Sequence, residues 1–276
     1  MKGVATRERA YAKLNLVLHV GRPRADGLHP LCSVFASLDL ADSLEVRVAG
    51  DGADSVECAG VHGPNLAATA LTAFRRRVPS LPALNVRIDK RIPVAAGLGG
   101  GSADAAAVLR AANRIAERPL APDVLREIAA SLGSDVPSQV EPRHALVQGV
   151  GELVDAVALP SWAVLLVAQN EGLSTAAVYA ELDRMEGWRE QLDSKPLCAF
   201  ARSPDPGTLE NDLQPAALAL RPELAPVLDA LRVAGALGAL VSGSGPTCFG
   251  LFAGREGAER AAREVEGAIV TGLRQS

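Results

Sequence analysis

The segment PVAAGLGGGSADAAAVL, residues 93–109, places four glycines within five positions and then turns abruptly to alanine. Glycine loses more conformational entropy on folding than any other residue, so a run of it marks a sharp bend or a close approach. Alanine is the strongest helix former. A flexible tract feeding straight into a helix start gathers N–H groups that the helix itself cannot use, at the positive end of its dipole. An anion suits such a place. The Walker pattern G-x-x-x-x-G-K-[ST] fails, because no lysine follows the glycines. The dinucleotide fingerprint G-x-G-x-x-G fits Gly97 and Gly99 and then meets Ser102 where its last glycine belongs. A tight strand-to-helix turn with close packing explains a lone glycine run as well as an anion does. A second tract, VSGSGPTCFGLF at 241–252, shifts the balance toward two walls of one polyphosphate site.

Composition narrows the partners. A chain of 276 residues, 48% hydrophobic and 22% charged, can build a sizeable core as one large domain or two ordinary ones. The net charge of −4 leaves no basic stripe for a nucleic-acid backbone, and 3% aromatics is too few for a base-stacking platform. Cys32, Cys58, Cys198 and Cys248 are scattered without metal-ligand spacing, which predicts free thiols in a reducing compartment. The opening residues, 1–21, alternate and carry charge, unlike a signal peptide, and no apolar run is long enough to span a membrane. The expectation is a cytoplasmic protein without membrane or nucleic-acid partners.

In YAKLNLVLHV, Ala12, Leu14, Leu16, Leu18 and Val20 share one face of a strand, with Lys13 and Asn15 about 7 Å apart on the other. LEVRV (44–48), LNVRI (84–88) and WAVLLVAQ (162–169) read as further strands. Helices are predicted over 65–77 with Asn65 as N-cap, after Ser102 with Asp104 in the first turn, over 122–133 and 175–185, over 222–235, and near the end in REGAERAAREVEGA. The second helix carries a stripe of Val108, Ala111, Ala112 and Ile115, and SDVP (134–137) reads as a turn. Residues 195–211 are linker-like but contain enough hydrophobics to be ordered. Strands and helices mix without strict alternation, so the expected class is α+β.

Taken in order, AKLNLVLHVGRPRADGLHPL (12–31), KRIPVAAGLGGGSADAAAVL (90–109), LGSDVP (132–137), GVGE (149–152), STAAVY (174–179), ENDL (210–213) and VSGSGPTCF (241–249) resemble the GHMP kinases across nearly the whole chain. The lead and the ADGLH segment resemble the branch acting on 4-diphosphocytidyl-2-C-methyl-D-erythritol, in the non-mevalonate isoprenoid route. The resemblance implies a two-lobed α+β fold, with an N-terminal nucleotide-binding domain over 1–158 and a C-terminal domain over 159–276, and the active site in the cleft between lobes. ATP would be cradled by Pro93, Val94, Ala95, Ala96, Gly97, Leu98, Gly99, Gly100, Gly101, Ser102 and Ala103, with Asn65 near its base or ribose. Asp135 matches the catalytic aspartate and Lys13 its partner. Mg²⁺ would arrive with ATP, near Ser102, and no protein metal site is implied. Asn15, Leu28, His29, Thr175, Tyr179, Gly243 and Ser244 would meet the cytidine diphosphate substrate, His29 through the cytosine and Tyr179 by stacking. A monomer or weak homodimer is expected.

Without the resemblance, Asp135 reads as a turn or N-cap residue, Lys13 as a solvated strand lysine, and His19, His62 and His144 as satisfied histidines. The chain also departs from the family. Leu28 stands where a tyrosine is usual, and Ser138, Gln139 and Pro142 stand where two phenylalanines and a glycine often follow the aspartate. Pro142 cannot take the positive φ of a glycine. These departures leave open a kinase for homoserine, mevalonate or a sugar, or a nucleotide-binding protein without catalysis.

Overall fold

A computed structural model describes residues 5–50, 52–61 and 63–275. His62 lies outside the described residues. Two compact units interleave along the sequence. The first takes the chain up to Ala12 together with Leu40–Ile92 and Gly99–Pro142, and the second takes Lys13–Asp39, Pro93–Leu98 and Arg143–Ser276. The long strands β1 (Thr6–Val20) and β2 (Leu31–Val48) contribute to both.

In the first unit the far end of β2 pairs antiparallel with β4 (Leu84–Asp89), and β3 (Ser55–Cys58) runs parallel to β4 on its other side. Helices α1 (Leu66–Arg77), α2 (Gly100–Ile115), α3 (Pro122–Ala130) and α4 (Val136–Val140) complete it. Asn65 caps α1 as expected, its Oδ1 accepting from Ala67 N at 2.9 Å. The start of α2 differs from expectation. Gly99, in the left-handed region at φ 68°, is the N-cap, and Ser102 sits inside the first turn without capping it. Helix propensity places the boundary after the glycines, yet Gly100 and Gly101 are helical here. The shift carries Asp104 out of the first turn and into the core. The expected stripe is also too narrow, since every residue from Ala103 to Leu109 is buried. Small alanine side chains let α1 pack closely along α2, with Phe74, Leu71 and Val108 filling the gap. SDVP is not simply a turn, because Asp135 opens the short helix α4 with Pro137 in its first turn, where a missing N–H costs nothing.

Asp104 meets Lys90 and Asp42 in a buried cluster. Lys90 Nζ donates to Asp42 Oδ2 at 2.5 Å and to Asp104 Oδ2 at 2.8 Å, while Asp42 Oδ1 accepts from the amides of Arg91 and Ile92. Burial pushes the Asp104 carboxyl up to about 7, with Lys90 opposing and Asp42 reinforcing the rise. Burial also works against the Lys90 charge, but its two carboxylates outweigh that and hold it above the ordinary value. The cluster ties β2, the chain before the glycine tract and the helix after it. Lys90→Met would leave two buried carboxylates without their cation. It is expected to cost about 3–5 kcal/mol, measured by urea unfolding; a loss below about 1 kcal/mol, the scale of an exposed pair, would show the cluster to be energetically idle.

The second unit holds β5 (Ala145–Gly149), antiparallel to the near end of β2, then β6 (Leu153–Ala156) antiparallel to β5. A separate antiparallel sheet, in the order β11-β7-β10-β9, is formed by β7 (Ala163–Val167), β9 (Gly238–Val241), β10 (Cys248–Phe252) and β11 (Ala268–Gly272). Residues 195–211 are ordered, as α6 (Lys195–Arg202), a single 3-10 turn and β8 (Glu210–Asn211), the last parallel to β1. Helices α5 (Thr175–Arg184), α7 (Gln214–Leu220), α8 (Leu224–Val233) and α9 (Arg255–Ala261) close a core around Leu165, Leu182, Leu228 and Phe252. The mixture is α+β, as the sequence predicts. Among the described residues no helix is long and apolar enough to cross a membrane.

The four cysteines are free. Burial raises the thiols of Cys32 to about 11 and of Cys248 to about 12, which leaves them protonated at neutral pH. His19 and His144 are satisfied, the first against Glu210 at 2.8 Å and the second accepting from Ser37 N at 3.1 Å.

Candidate functional site

In the second unit the two glycine tracts pack against each other. Ser242 Oγ donates to Gly97 O at 3.1 Å, and Thr247 N donates to Ala96 O at 3.3 Å. Gly97 has φ +76°, and a Cβ there would lie 2.5 Å from Ser242 O and 2.8 Å from Gly245 O. Within the second tract, Gly243 and Gly245 also take positive φ, and Gly245 N bonds back to Ser242 O. Ala95 holds the same left-handed region at φ 54° without being glycine. Successive amides in such turns form concavities that suit anions.

Lys13 is tied to this structure. Its N–H donates to Leu98 O at 2.9 Å, and its Nζ donates to Asn15 Oδ1 at 2.8 Å and lies 4.9 Å from the centre of the Phe35 ring. A Cβ on Gly243 would sit 3.1 Å from Asn15 Oδ1 and 3.5 Å from Lys13 Nζ. Lys13 is not a solvated strand lysine, because it is only 5% exposed. Both faces of β1 are buried from Ala12 to Val20, so the single buried face expected from alternation is doubled. Asn211 holds the second tract from behind. Its Nδ2 donates to Val241 O and Gly243 O, both at 2.8 Å, while its Oδ1 accepts from Leu213 N. The ENDL segment signals this asparagine, but its role is invisible without the turn it supports.

Thr175 Oγ1 and Ser244 Oγ are 3.0 Å apart, which joins the start of α5 to the second tract. His29 and Tyr179 come together with ring centres 5.1 Å apart. His29 Nδ1 lies 2.8 Å from Gly21 O, and its Nε2 lies 3.3 Å from Asp183, a carboxylate that sequence reasoning passes over. Leu28, next to it, is 53% exposed.

In the first unit, Gly99 to Ala103 form the N-terminus of the 16-residue helix α2, with no side-chain cap and no acidic residue in its first turn. That end keeps its positive potential and its first amides for an outside acceptor. Asp135, half-buried at the N-cap of α4, makes no side-chain hydrogen bond to that helix, and its carbonyl accepts from Ser138 Oγ at 2.9 Å. The departures Ser138 and Gln139 are buried, and Arg110 donates to Gln139 O.

The GHMP kinases N terminal domain matches residues 65–141 and the GHMP kinases C terminal domain matches 195–270. A 4-diphosphocytidyl-2-C-methyl-D-erythritol kinase of Salinispora tropica is 42% identical, covering 94% of this chain and 87% of that protein. The chain belongs to the GHMP kinases. An Anaeromyxobacter protein of the same name is 43% identical over 95% of this chain and 87% of its own length. A crystal structure of 4-(cytidine 5'-diphospho)-2C-methyl-D-erythritol kinase superposes with TM-score 0.83 at 33% identity, covering 98% of this chain and all of that one. A homoserine kinase from Cytophaga hutchinsonii, TM-score 0.70 at 16% identity, shares the fold. As a member of this family the chain is a small-molecule kinase.

Proposed function

We propose that this GHMP kinase moves the γ-phosphoryl group of ATP to the 2-hydroxyl of 4-diphosphocytidyl-2-C-methyl-D-erythritol, giving the 2-phosphate and ADP within the non-mevalonate isoprenoid route. The observation that carries this reading is the locking of the two glycine tracts at Gly97 and Ser242, beside the buried Lys13–Asn15 pair. Residues 93–103 cradle the nucleotide phosphates, and Asn65 lies toward its base or ribose. The uncapped start of α2 fits a polyanion, and Ser102 in its first turn is the side chain nearest in type to a magnesium or phosphate ligand. Magnesium bound with the phosphates supplies charge neutralisation on their oxygens. Asp135 takes the proton of the acceptor hydroxyl as its bond to phosphorus forms, and Lys13 orients that hydroxyl. His29 and Tyr179 receive the cytosine, whose exposed side Leu28 covers by apolar contact in place of a ring. Asn15, Thr175, Gly243 and Ser244 reach the methylerythritol and its diphosphate. The family halves follow the sequence, 1–158 and 159–276, while the compact units follow contacts. The protein works in the cytoplasm as a monomer or weak homodimer, without nucleic acid or membrane.

A coupled ADP-release assay tests the reading with 4-diphosphocytidyl-methylerythritol, homoserine and mevalonate side by side. Turnover is expected only with the cytidine compound. Turnover with either other alcohol alone, or ATP binding with no turnover on any of them, would refute it.

A further inference from the structure

We propose that Ser33 is a positioning residue for Lys13, acting through the side-chain amide of Asn15; this rests on the reading of Lys13 given above. Ser33 lies in β2, fully buried and opposite Val147 of β5, in the otherwise apolar run LCSVF. A serine hydroxyl has a single proton to give. Here it goes to the Val17 carbonyl, at 2.6 Å. Toward Asn15, therefore, Ser33 can act only as an acceptor, and Asn15 presents Nδ2 to it at 2.9 Å. The other end of the same amide, Oδ1, is thereby turned to Lys13 Nζ at 2.8 Å.

A lysine ammonium carries donors only, so it demands the same amide orientation from its own side. Two constraints, one from each end, agree. An amide rotated by half a turn would set Nδ2 against the ammonium and Oδ1 against a hydroxyl whose proton is already committed. Lys13, Asn15 and Ser33 are 5%, 2% and 0% exposed, so water offers little substitute for a bond left unmade. Donation runs one way through the relay, from the ammonium through amide and hydroxyl to a backbone carbonyl. Phe35, two residues along β2 from Ser33, places its ring under the same Nζ. Strand β2 thus supports Lys13 twice, once through a ring face and once through the relay.

Ser33→Ala removes one oxygen and leaves packing nearly unchanged. It is expected to lower kcat on the order of tenfold, as misplacement of a reacting group does, with KM for ATP unchanged within about twofold. In an Asn15→Ala background the relay is already gone, and the same step should change kcat by less than about twofold. Ser33→Thr, which keeps the hydroxyl, should recover most of the rate. If Ser33→Ala yields no folded protein, Ser33→Cys carries the same expectation. Lys13→Met, run in parallel, separates the two ideas. An unchanged kcat in Lys13→Met would remove the reading of Lys13 itself. A large loss in Lys13→Met with none in Ser33→Ala, or an equal Ser33→Ala loss in both backgrounds, would overturn the role of Ser33.

Discussion

Asp135→Asn is expected to lower kcat by roughly 10²–10⁴-fold, the range of a lost general base, while ATP affinity and folding stability stay near those of the parent. The start of α4 tolerates the substitution. Asp135 opens α4 with φ −85° and ψ −17° and gives no side-chain hydrogen bond to the helix, so no cap is lost. Asparagine has the same shape and is equally at home at a helix start. The bond from Ser138 Oγ reaches the backbone carbonyl of this residue and survives the substitution. What changes is the capacity to take a proton. An alcohol attacking a phosphoryl group becomes acidic as the new bond forms, and a neutral amide cannot accept what it releases. Steady-state ADP release, calorimetric titration with ATP and a thermal melt together make the measurement. A kcat within twofold of the parent would end the assignment of Asp135 as proton acceptor; a matching fall in melting temperature would recast it as a structural residue.

How much of this was legible in the chain depends on the range of each interaction. The α+β class, a strand within 162–169 and the cap at Asn65 follow from local pattern, and the structure carries them through, the strand as Ala163–Val167. Propensity counts Gly100 and Gly101 as breakers and so starts the helix after the glycines too late. The left-handed Gly99 opens the helix ahead of them, and a Cβ on Gly100 would crowd Ile92 and Lys90 at 3.1 and 3.2 Å. The Asp42–Lys90–Asp104 cluster joins residues 48 and 14 positions apart, which no local pattern displays. Alternation reports one buried face and so reads Lys13 as solvated, whereas the burial of the second face of β1 is a tertiary fact. The pairing of Gly97 with Ser242 spans 145 positions; the sequence offered only the similarity of the two tracts, and proximity came from the fold. His29 and Tyr179 became a pair on the same terms.

That packing of the two tracts sets the second large expectation. Gly97→Ala should lower kcat/KM for ATP by about 10²-fold or more, the scale of a misplacement near 1 Å, and should lower the melting temperature as well. Two separate costs act at this position. The residue holds φ +76°, where a Cβ clashes with its own backbone. The added carbon would also meet the carbonyl oxygens of Ser242 and Gly245 at 2.5 and 2.8 Å, and both are backbone atoms that no rotamer change can move aside. Relief therefore requires the tracts to separate, which breaks the Ser242 Oγ bond to Gly97 O and shifts Gly243 against Asn15 and Lys13. Gly101→Ala supplies the contrast within the same run. Gly101 lies in α2 with ordinary φ, and nothing stands within 4 Å of a Cβ there, so its alanine variant should fold as well as the parent or slightly better. Melting curves of both variants and ATP kinetics of Gly97→Ala decide the matter. A Gly97→Ala protein with parental stability and parental kcat/KM for ATP would mean that the contact between the two tracts is not what shapes the phosphate cradle.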